Sequence, residues 1–295
     1  MLSELSGVLL PVLVIASLGY GWRKLGVAFE REFVTRLVLN IAAPCLIIDS
    51  LSNLNLPGEV VAKMALGGVG MFVSAVTACF VIIKLAGLSV RTFLPALAIG
   101  NTGNLGLSVC FFAFGPEGLG LAVAVFVANS IGQFTLTPML QSGRSPWRTL
   151  VTTPVIYGAV IGTALLVTDY QLPEWVSGTV SQLGGLLIPM MLLALGNTLG
   201  GFKVSRLPFA SFWGLVRLAV GLSIAVLIAE ILGLEGVPRG VLILQGAMPA
   251  AIFSYLFAAR YDRAPDDVAG IVLMSTLFSI LTLPFVVAYA LSTAG

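Results

Sequence analysis

The chain has 295 residues, of which 58% are hydrophobic and only 9% are charged, whereas an ordinary soluble domain is about 25% charged. This composition excludes a water-soluble globule, and a net charge of +2 with scattered basic residues gives no nucleic-acid-binding surface. The sequence has no histidine, and its three cysteines lie in separate apolar runs without a CxxC pair. Common zinc, haem and thiol-redox sites therefore lack their ligands, and serine–histidine and cysteine–histidine catalysis is excluded.

Apolar runs long enough to cross a hydrocarbon layer of about 30 Å recur along the chain. They predict an all-α polytopic membrane protein, because a β-barrel needs short alternating segments that the sequence lacks. The first run has no basic residue ahead of it and no convincing cleavage site, so we expect a retained helix and not a signal peptide. Windows of about 19 residues give ten spans, at residues 5–22, 33–52, 61–84, 93–113, 117–140, 150–168, 175–199, 208–232, 238–259 and 268–291.

The charged loops predict the orientation of these spans. Twelve of the fifteen basic residues lie in the loops that follow the odd-numbered spans or at the span ends next to those loops. The positive-inside rule assigns those loops to the cytoplasm and both termini to the outside. We expect an integral protein of the plasma membrane, or inner membrane in a bacterium, in contact with the lipid bilayer.

Weak internal similarity predicts two repeats of five spans. An offset of 146 residues aligns Gly100 with Gly246, Ser108 with Ser254, Phe111 with Phe257 and Pro138 with Pro284. Because five is odd, the two halves have opposite orientations, as in many secondary transporters. The predicted division is a first repeat at 1–140, a cytoplasmic connector at 141–149 and a second repeat at 150–295.

Span four has a polar, glycine-rich centre where a regular helix is disfavoured. It carries Gly100, Asn101, Thr102, Gly103 and Asn104 in succession. Interrupted backbone is tolerated inside a membrane only where it is buried in protein or lines a wet cavity, and helix N-termini there attract anions. We therefore predict an interrupted helix and a binding site in span four. The alternative is that the glycines serve only close helix packing.

Span nine carries a second predicted interruption at the matching position. It contains Gln245, Gly246, Met248 and Pro249. Pro249 removes one backbone donor and clashes with the carbonyl of Gln245, although proline also kinks many membrane helices without a functional role. Two interruptions in corresponding spans indicate a transporter substrate site.

Four further polar residues are candidates for the cavity or for ion coupling. Asn129 and Gln133 share one helix face, where interhelical hydrogen bonding is the alternative role. Arg217 lies roughly 14 Å into span eight, so it needs a carboxylate, carbonyl or substrate partner unless it reaches the interface. Asn40 could line the cavity or accompany a helix bend. No cofactor is expected, apart from a Na⁺ or H⁺ coupling ion, and the sole candidate metal is Na⁺ near Asn101 and Asn104.

Four segments carry a family resemblance. They are LPVLVIASLGYGWRKLG, LNIAAPCLII, GNTGNLGL and LQGAMPAAIFSYLFAARY. Together they resemble the auxin efflux carrier family of permeases, which includes the plant PIN auxin exporters and bacterial malate or malonate transporters. Plant PIN members carry an Asn-Pro-Asn motif in span four where this chain has Asn101-Thr102-Gly103-Asn104, and the long central loop is missing. Indole acetate is therefore not the leading substrate.

The resemblance implies an inverted-repeat fold with crossed, broken spans four and nine. Spans 1, 2, 6 and 7 would form a scaffold domain, and spans 3–5 and 8–10 a transport domain that moves like an elevator. It further implies a homodimer built through the scaffold, with substrate carboxylates bound at Asn101, Thr102, Gly103, Asn104 and the segment from Gln245 to Ala250.

The leading prediction is a secondary transporter of small organic anions, either mono- or dicarboxylates. A Na⁺-coupled symporter of the bile-acid type and a non-transporting receptor or subunit remain alternatives. A membrane enzyme such as a prenyltransferase needs two acidic Mg²⁺-binding motifs, and the chain has a single cluster at Asp262, Asp266 and Asp267. The sequence therefore favours a protein that is not an enzyme.

Overall fold

The computed structural model describes residues 2–54, 56–142, 153–202 and 206–293. In these ranges the regular structure is helical, and the one extended pairing is an isolated antiparallel bridge between Gly100 and Ala250. The all-α prediction is therefore confirmed for the described chain. From residue 143 onward, the predicted connector lies outside the described residues.

The first half of the chain contains six α-helices and two π-helical turns among its described residues. They are α1 (Leu2–Lys24), α2 (Arg31–Leu37), a π-helical turn (Val38–Ala42), α3 (Ala43–Ser52), α4 (Gly58–Leu85), α5 (Val90–Ala98), a second π-helical turn (Thr102–Gly106) and α6 (Leu107–Ser142). Within α6 the backbone leaves helical geometry at Gly115, where φ is 63°. Glycine tolerates this conformation and Pro116 suits the first position of the next helix, so α6 is two helices joined at Gly115.

The described part of the second half contains seven helices. They are α7 (Pro154–Thr168), α8 (Glu174–Gly185), α9 (Leu187–Leu199), α10 (Leu207–Ile231), α11 (Gly236–Gly246), α12 (Ile252–Arg260) and α13 (Pro265–Ser292). Helix α9 follows α8 directly, and the two together form one apolar segment, Glu174–Leu199.

Length and composition identify seven membrane-crossing segments in the described chain, compared with the ten predicted. Three predicted spans account for the difference. The span at 150–168 is a helix of 15 residues, and those at 93–113 and 238–259 each divide into shorter pieces. In the spans at 93–113 and 238–259, interruption of the backbone shortens the helices without changing their apolar composition, so a criterion of helix length does not count them.

Large apolar side chains cover the outer surface of the bundle. Leu85 is 84% exposed, Phe285 77% and Val167 76%. Soluble monomers rarely expose contiguous apolar patches of this kind, whereas lipid chains solvate them well. This surface is that of an integral membrane protein.

The helices pack in two sets. In the first set α1 packs on α9, and α3 packs on α7 and α8. In the second, α4 packs on α5 and α6, while α10 packs on α11 and α13. Helix α10 also packs on α4, and α11 packs on α6, which joins the two halves of the chain inside the second set. The interrupted segments after α5 and α11 belong to this second set.

Candidate functional site

The two interruptions are hydrogen-bonded to each other. The N–H of Asn101 donates to the carbonyl of Pro249 over 2.7 Å, and the N–H of Ala251 donates to the carbonyl of Ile99 over 3.0 Å. Between these bonds, Gly100 and Ala250 form the antiparallel bridge. We call segments 99–101 and 249–251 the paired breaks. Each segment supplies the backbone partners that the other loses by leaving its helix.

A narrow cavity of about 20 Å³ lies against one side of the paired breaks. Four predicted site residues meet there, namely Asn101, Gly103, Asn104 and Gln133. The described lining also contains Ser130, Phe126, Phe134, Leu187, Met191, Ala251 and Phe253, and it includes no acidic or basic side chain. The polar groups of this cavity are therefore neutral hydrogen-bonding groups.

Two helix N-termini reach the narrow cavity. The second π-helical turn begins after Asn101, and α12 begins after Ala251. The first N–H groups of a helix have no partner within it, and they carry the positive end of the helix dipole. The Nδ2 group of Asn101 and the Nε2 group of Gln133 are also buried without a hydrogen-bond partner in the described chain. These donors favour an anion in the cavity.

A wider cleft of about 330 Å³ adjoins the narrow cavity, because both include Asn104, Met191 and Phe253 in their linings. The cleft has an apolar wall of Met191, Ala194, Ile252, Phe253 and Leu256. Glu32 and Arg36 also line it, and they form an ion pair with each other. A ligand with a polar end and an apolar body matches this arrangement of surfaces.

Arg217 lies on the opposite side of the paired breaks. Its Nη1 group donates to the carbonyls of Leu97 and Ala98, each over 3.2 Å, and its Nη2 group donates to the carbonyl of Met248 over 3.3 Å. The residue is 3% exposed. The sequence left three kinds of partner open for Arg217, namely a carboxylate, a carbonyl or a substrate. In the structure its partners are backbone carbonyls, and its side chain does not extend to the surface.

The remaining predicted residues fall in other places. Thr102, Asn129, Gln245 and Gly246 line a small pocket of about 10 Å³ together with Arg217. Met248 and Pro249 contribute the carbonyls described above. Asn40 is exposed in the first π-helical turn and lies in none of these three linings. The interruption residues are thus divided between two sides of the paired breaks.

Comparison with known proteins identifies the family. Residues 5–146 and 137–287 match the family model described as "Membrane transport protein". The chain belongs to the auxin efflux carrier family. It is therefore a membrane transporter, as the resemblance of its sequence motifs indicated, and this coarse prediction is confirmed.

Relatives of this carrier include archaeal, bacterial and plant proteins. An uncharacterized transporter of Methanothermobacter thermautotrophicus is 30% identical over 93% of this chain and 95% of its own length. An uncharacterized transporter of Escherichia coli is 23% identical over 96% of this chain and 97% of its own. Auxin efflux carrier component 2 of rice is 29% identical, but the match covers 48% of this chain and 23% of the plant protein.

Two serines of this carrier support the paired breaks and were not predicted as site residues. The Oγ of Ser275 accepts a hydrogen bond from the N–H of Ala250 over 3.1 Å, and the Oγ of Ser254 donates to the carbonyl of Pro95 over 3.0 Å. A serine in an apolar helix most often bonds to its own helix backbone. The sequence therefore had no signal for these roles beyond the alignment of Ser254 with Ser108.

Proposed function

We propose that this carrier transports a small organic anion with one carboxylate and an apolar body. The carboxylate would bind in the narrow cavity, and the body would occupy the adjoining cleft. The observation that carries this proposal is the meeting of two helix N-termini at one cavity. Its lining includes Asn101 and Gln133, each of which has a buried amide nitrogen without a partner in the described chain. Fixed N–H dipoles replace water around an anion without a full positive charge that would hold it too tightly for release.

The cleft wall supports a preference for monocarboxylates over dicarboxylates. A second carboxylate on the ligand would face Met191, Ile252 or Phe253, and burying a charge against apolar groups is costly unless it is paired. Arg36 is the one cation in the described cleft lining, and it forms an exposed ion pair with Glu32. The second charge of a dianion such as malate or malonate would therefore meet the apolar wall or the hydroxyls of Thr35 and Thr198, and no unpaired cation in this lining.

We also propose that transport follows an elevator mechanism on an inverted-repeat framework of ten spans. The two packing sets support this division: α1, α3 and α7–α9 would form the scaffold, and α4–α6 with α10–α13 the transport domain. The wider cleft includes Arg36, which the positive-inside rule assigns to the cytoplasmic side. We infer a conformation open to the cytoplasm, both termini outside, and a homodimer through the scaffold.

Sodium coupling at Asn101 and Asn104 is disfavoured by the same features that favour an anion. The described lining of the narrow cavity offers amide and hydroxyl oxygens but no carboxylate. Two helix N-termini also direct positive potential into it. We therefore propose that no Na⁺ ion binds between these residues.

Counterflow in proteoliposomes tests the proposed function. Purified protein would be reconstituted and assayed with labelled monocarboxylates of increasing apolar size, indole acetate, malonate and malate, with and without a Na⁺ gradient. We expect saturable, Na⁺-independent exchange of monocarboxylates, and weaker exchange of dicarboxylates. Preference for dicarboxylates would contradict the proposed substrate class, and a strict Na⁺ requirement would favour the bile-acid-type symporter. Absence of exchange for every acid would overturn organic-anion transport.

A further inference from the structure

We propose that Arg217 is a positioning residue that clamps the paired breaks together and is not a ligand of the substrate. It is the eleventh residue of the 25-residue helix α10. Its guanidinium group reaches both interrupted segments, through Leu97 and Ala98 on one side and Met248 on the other. The side chain of one residue in α10 therefore connects the end of α5 with the segment that follows α11.

The charge of Arg217 is matched by helix ends and not by a carboxylate. None of the ion pairs found in the described chain involves Arg217. Leu97 and Ala98 are the last residues of α5, and Met248 lies two residues beyond the end of α11. Terminal carbonyls of a helix lack intrahelical partners and carry the negative end of its dipole. Arg217 therefore offsets the negative end of α5 and also binds a carbonyl of the irregular segment that follows α11.

The space around the guanidinium is fitted to it. A Cβ atom added at Gly100 would lie 2.5 Å from Nη2 of Arg217. A Cβ atom added at Gly221 would collide with the carbonyl of Gly246 and lie 3.2 Å from Cζ of Arg217. Glycine at both positions leaves room for the guanidinium beside the paired breaks.

This arrangement gives the paired breaks two electrically different sides. The negative helix ends meet Arg217, whereas the positive ends open into the narrow cavity, whose lining does not include Arg217. If Arg217 were lost, the uncompensated carbonyls would make the electrostatic potential in the narrow cavity less positive and weaken anion binding. The hydrogen bond between Asn101 and Pro249 would also weaken. The clamp is independent of the substrate, but its effect on anion affinity rests on the proposed function.

Hydrogen exchange tests the clamp without any substrate. Native protein would be compared with Arg217→Met, Arg217→Lys and the exposed control Arg206→Met, using peptides that report the amides of Asn101 and Ala251. We expect exchange at both amides to rise roughly tenfold or more in Arg217→Met, as loss of hydrogen bonds to a charged group implies. Arg217→Lys should restore part of the protection, and Arg206→Met should resemble the native protein. Gly100→Ala, which keeps the charge but places a Cβ atom 2.5 Å from Nη2 and so displaces the guanidinium, should also raise exchange and carries the test if Arg217→Met does not fold.

Counterflow of the same variants separates a clamp from a ligand. A clamp predicts a higher KM in proportion to the loss of amide protection, with partial rescue by lysine. Native amide protection in both Arg217→Met and Gly100→Ala would overturn the proposal. Loss of counterflow in Arg217→Met together with native amide protection would instead make Arg217 a ligand of the substrate. If no acid is transported, the exchange data still decide the clamp, so the two proposals fail separately.

Discussion

The backbone N–H of Asn101 donates a 2.7 Å hydrogen bond to the carbonyl of Pro249, and this bond joins the interruption in the first half of the chain to the one in the second. Pro249 has no N–H to donate to the carbonyl of Gln245, and its ring disfavours continuation of the helix of α11. Its carbonyl would lack a partner without Asn101. The pairing therefore explains how two irregular segments coexist in an apolar bundle, where each unpaired backbone group is costly.

Alanine at Gly100 should disrupt the paired breaks. The new Cβ atom would lie 2.5 Å from Arg217 and force the guanidinium out of place. We expect a loss of about 1–3 kcal/mol in stability, which is typical for overpacking, and strongly reduced transport. The measurement is thermal unfolding in detergent together with counterflow. Gly178→Ala is the control, because an added Cβ there meets no atom within 4 Å. Native transport by Gly100→Ala would show that the close approach is not required.

Two serine substitutions should lower the stability of the protein by different amounts, although each removes one hydrogen bond. Ser275→Ala leaves the buried N–H of Ala250 without its hydrogen-bond partner. We expect the free energy of unfolding to fall by about 1–3 kcal/mol. Ser254→Ala leaves the carbonyl of Pro95 still bonded to the N–H of Ile99, so we expect a loss of only about 1 kcal/mol. Unfolding temperatures of the two variants, measured under the same conditions, check this order. The reverse order would contradict the assigned partners.

An acidic group in the narrow cavity should oppose anion binding. Gln133→Glu keeps the shape of the side chain but adds a negative charge beside Asn101 and Asn104. Two like charges about 4 Å apart repel by about 1–4 kcal/mol between bulk water and a site near the protein surface, so KM should rise by roughly fivefold or more. Gln182→Glu, on an exposed position of α8, is the charge-matched control. An unchanged KM in Gln133→Glu would remove Gln133 from the site.

The sequence predicted the helical class, because composition reports it directly. Glycine and proline led to the prediction of interruptions in spans four and nine, where α5 ends at Ala98 and α11 at Gly246. Asn101, Gly103, Asn104 and Gln133, which the sequence names as candidates, line one cavity, and their role in substrate binding stays a prediction. The sequence did not predict that Thr102, Asn129 and Gln245 line a different pocket from these four residues. Which pocket a residue lines depends on how two segments that are distant in the chain pack together. The sequence named a carbonyl as one possible partner of Arg217, but it could not say which carbonyls, because backbone groups leave no mark in a sequence. The paired breaks also divide two of the predicted spans, those at 93–113 and 238–259, into shorter helices, although hydropathy gives each as continuous.

Labelling should place the charged loops on the predicted sides. In a background without Cys45, Cys79 and Cys110, a membrane-impermeant maleimide should label Glu174→Cys from outside intact cells. Arg260→Cys, an exposed residue at the end of α12, should react only after the membrane is opened. This expectation follows from the asymmetry of basic residues. The opposite pattern would reverse the orientation and place the wider cleft on the outer side.

The most direct test compares two buried asparagines that differ in which side of the paired breaks they face. Asn104 lines the narrow cavity and the cleft, whereas Asn129 lines the Arg217 side and donates to the carbonyl of Val125 in its own helix. The measurement is the KM for counterflow of the best monocarboxylate by Asn104→Ala and Asn129→Ala, with protein folding verified for both. A rise of about tenfold in Asn104→Ala with a KM close to native in Asn129→Ala would support anion binding between the helix N-termini. Equal KM values in Asn104→Ala and the native protein, or a larger effect in Asn129→Ala, would contradict it.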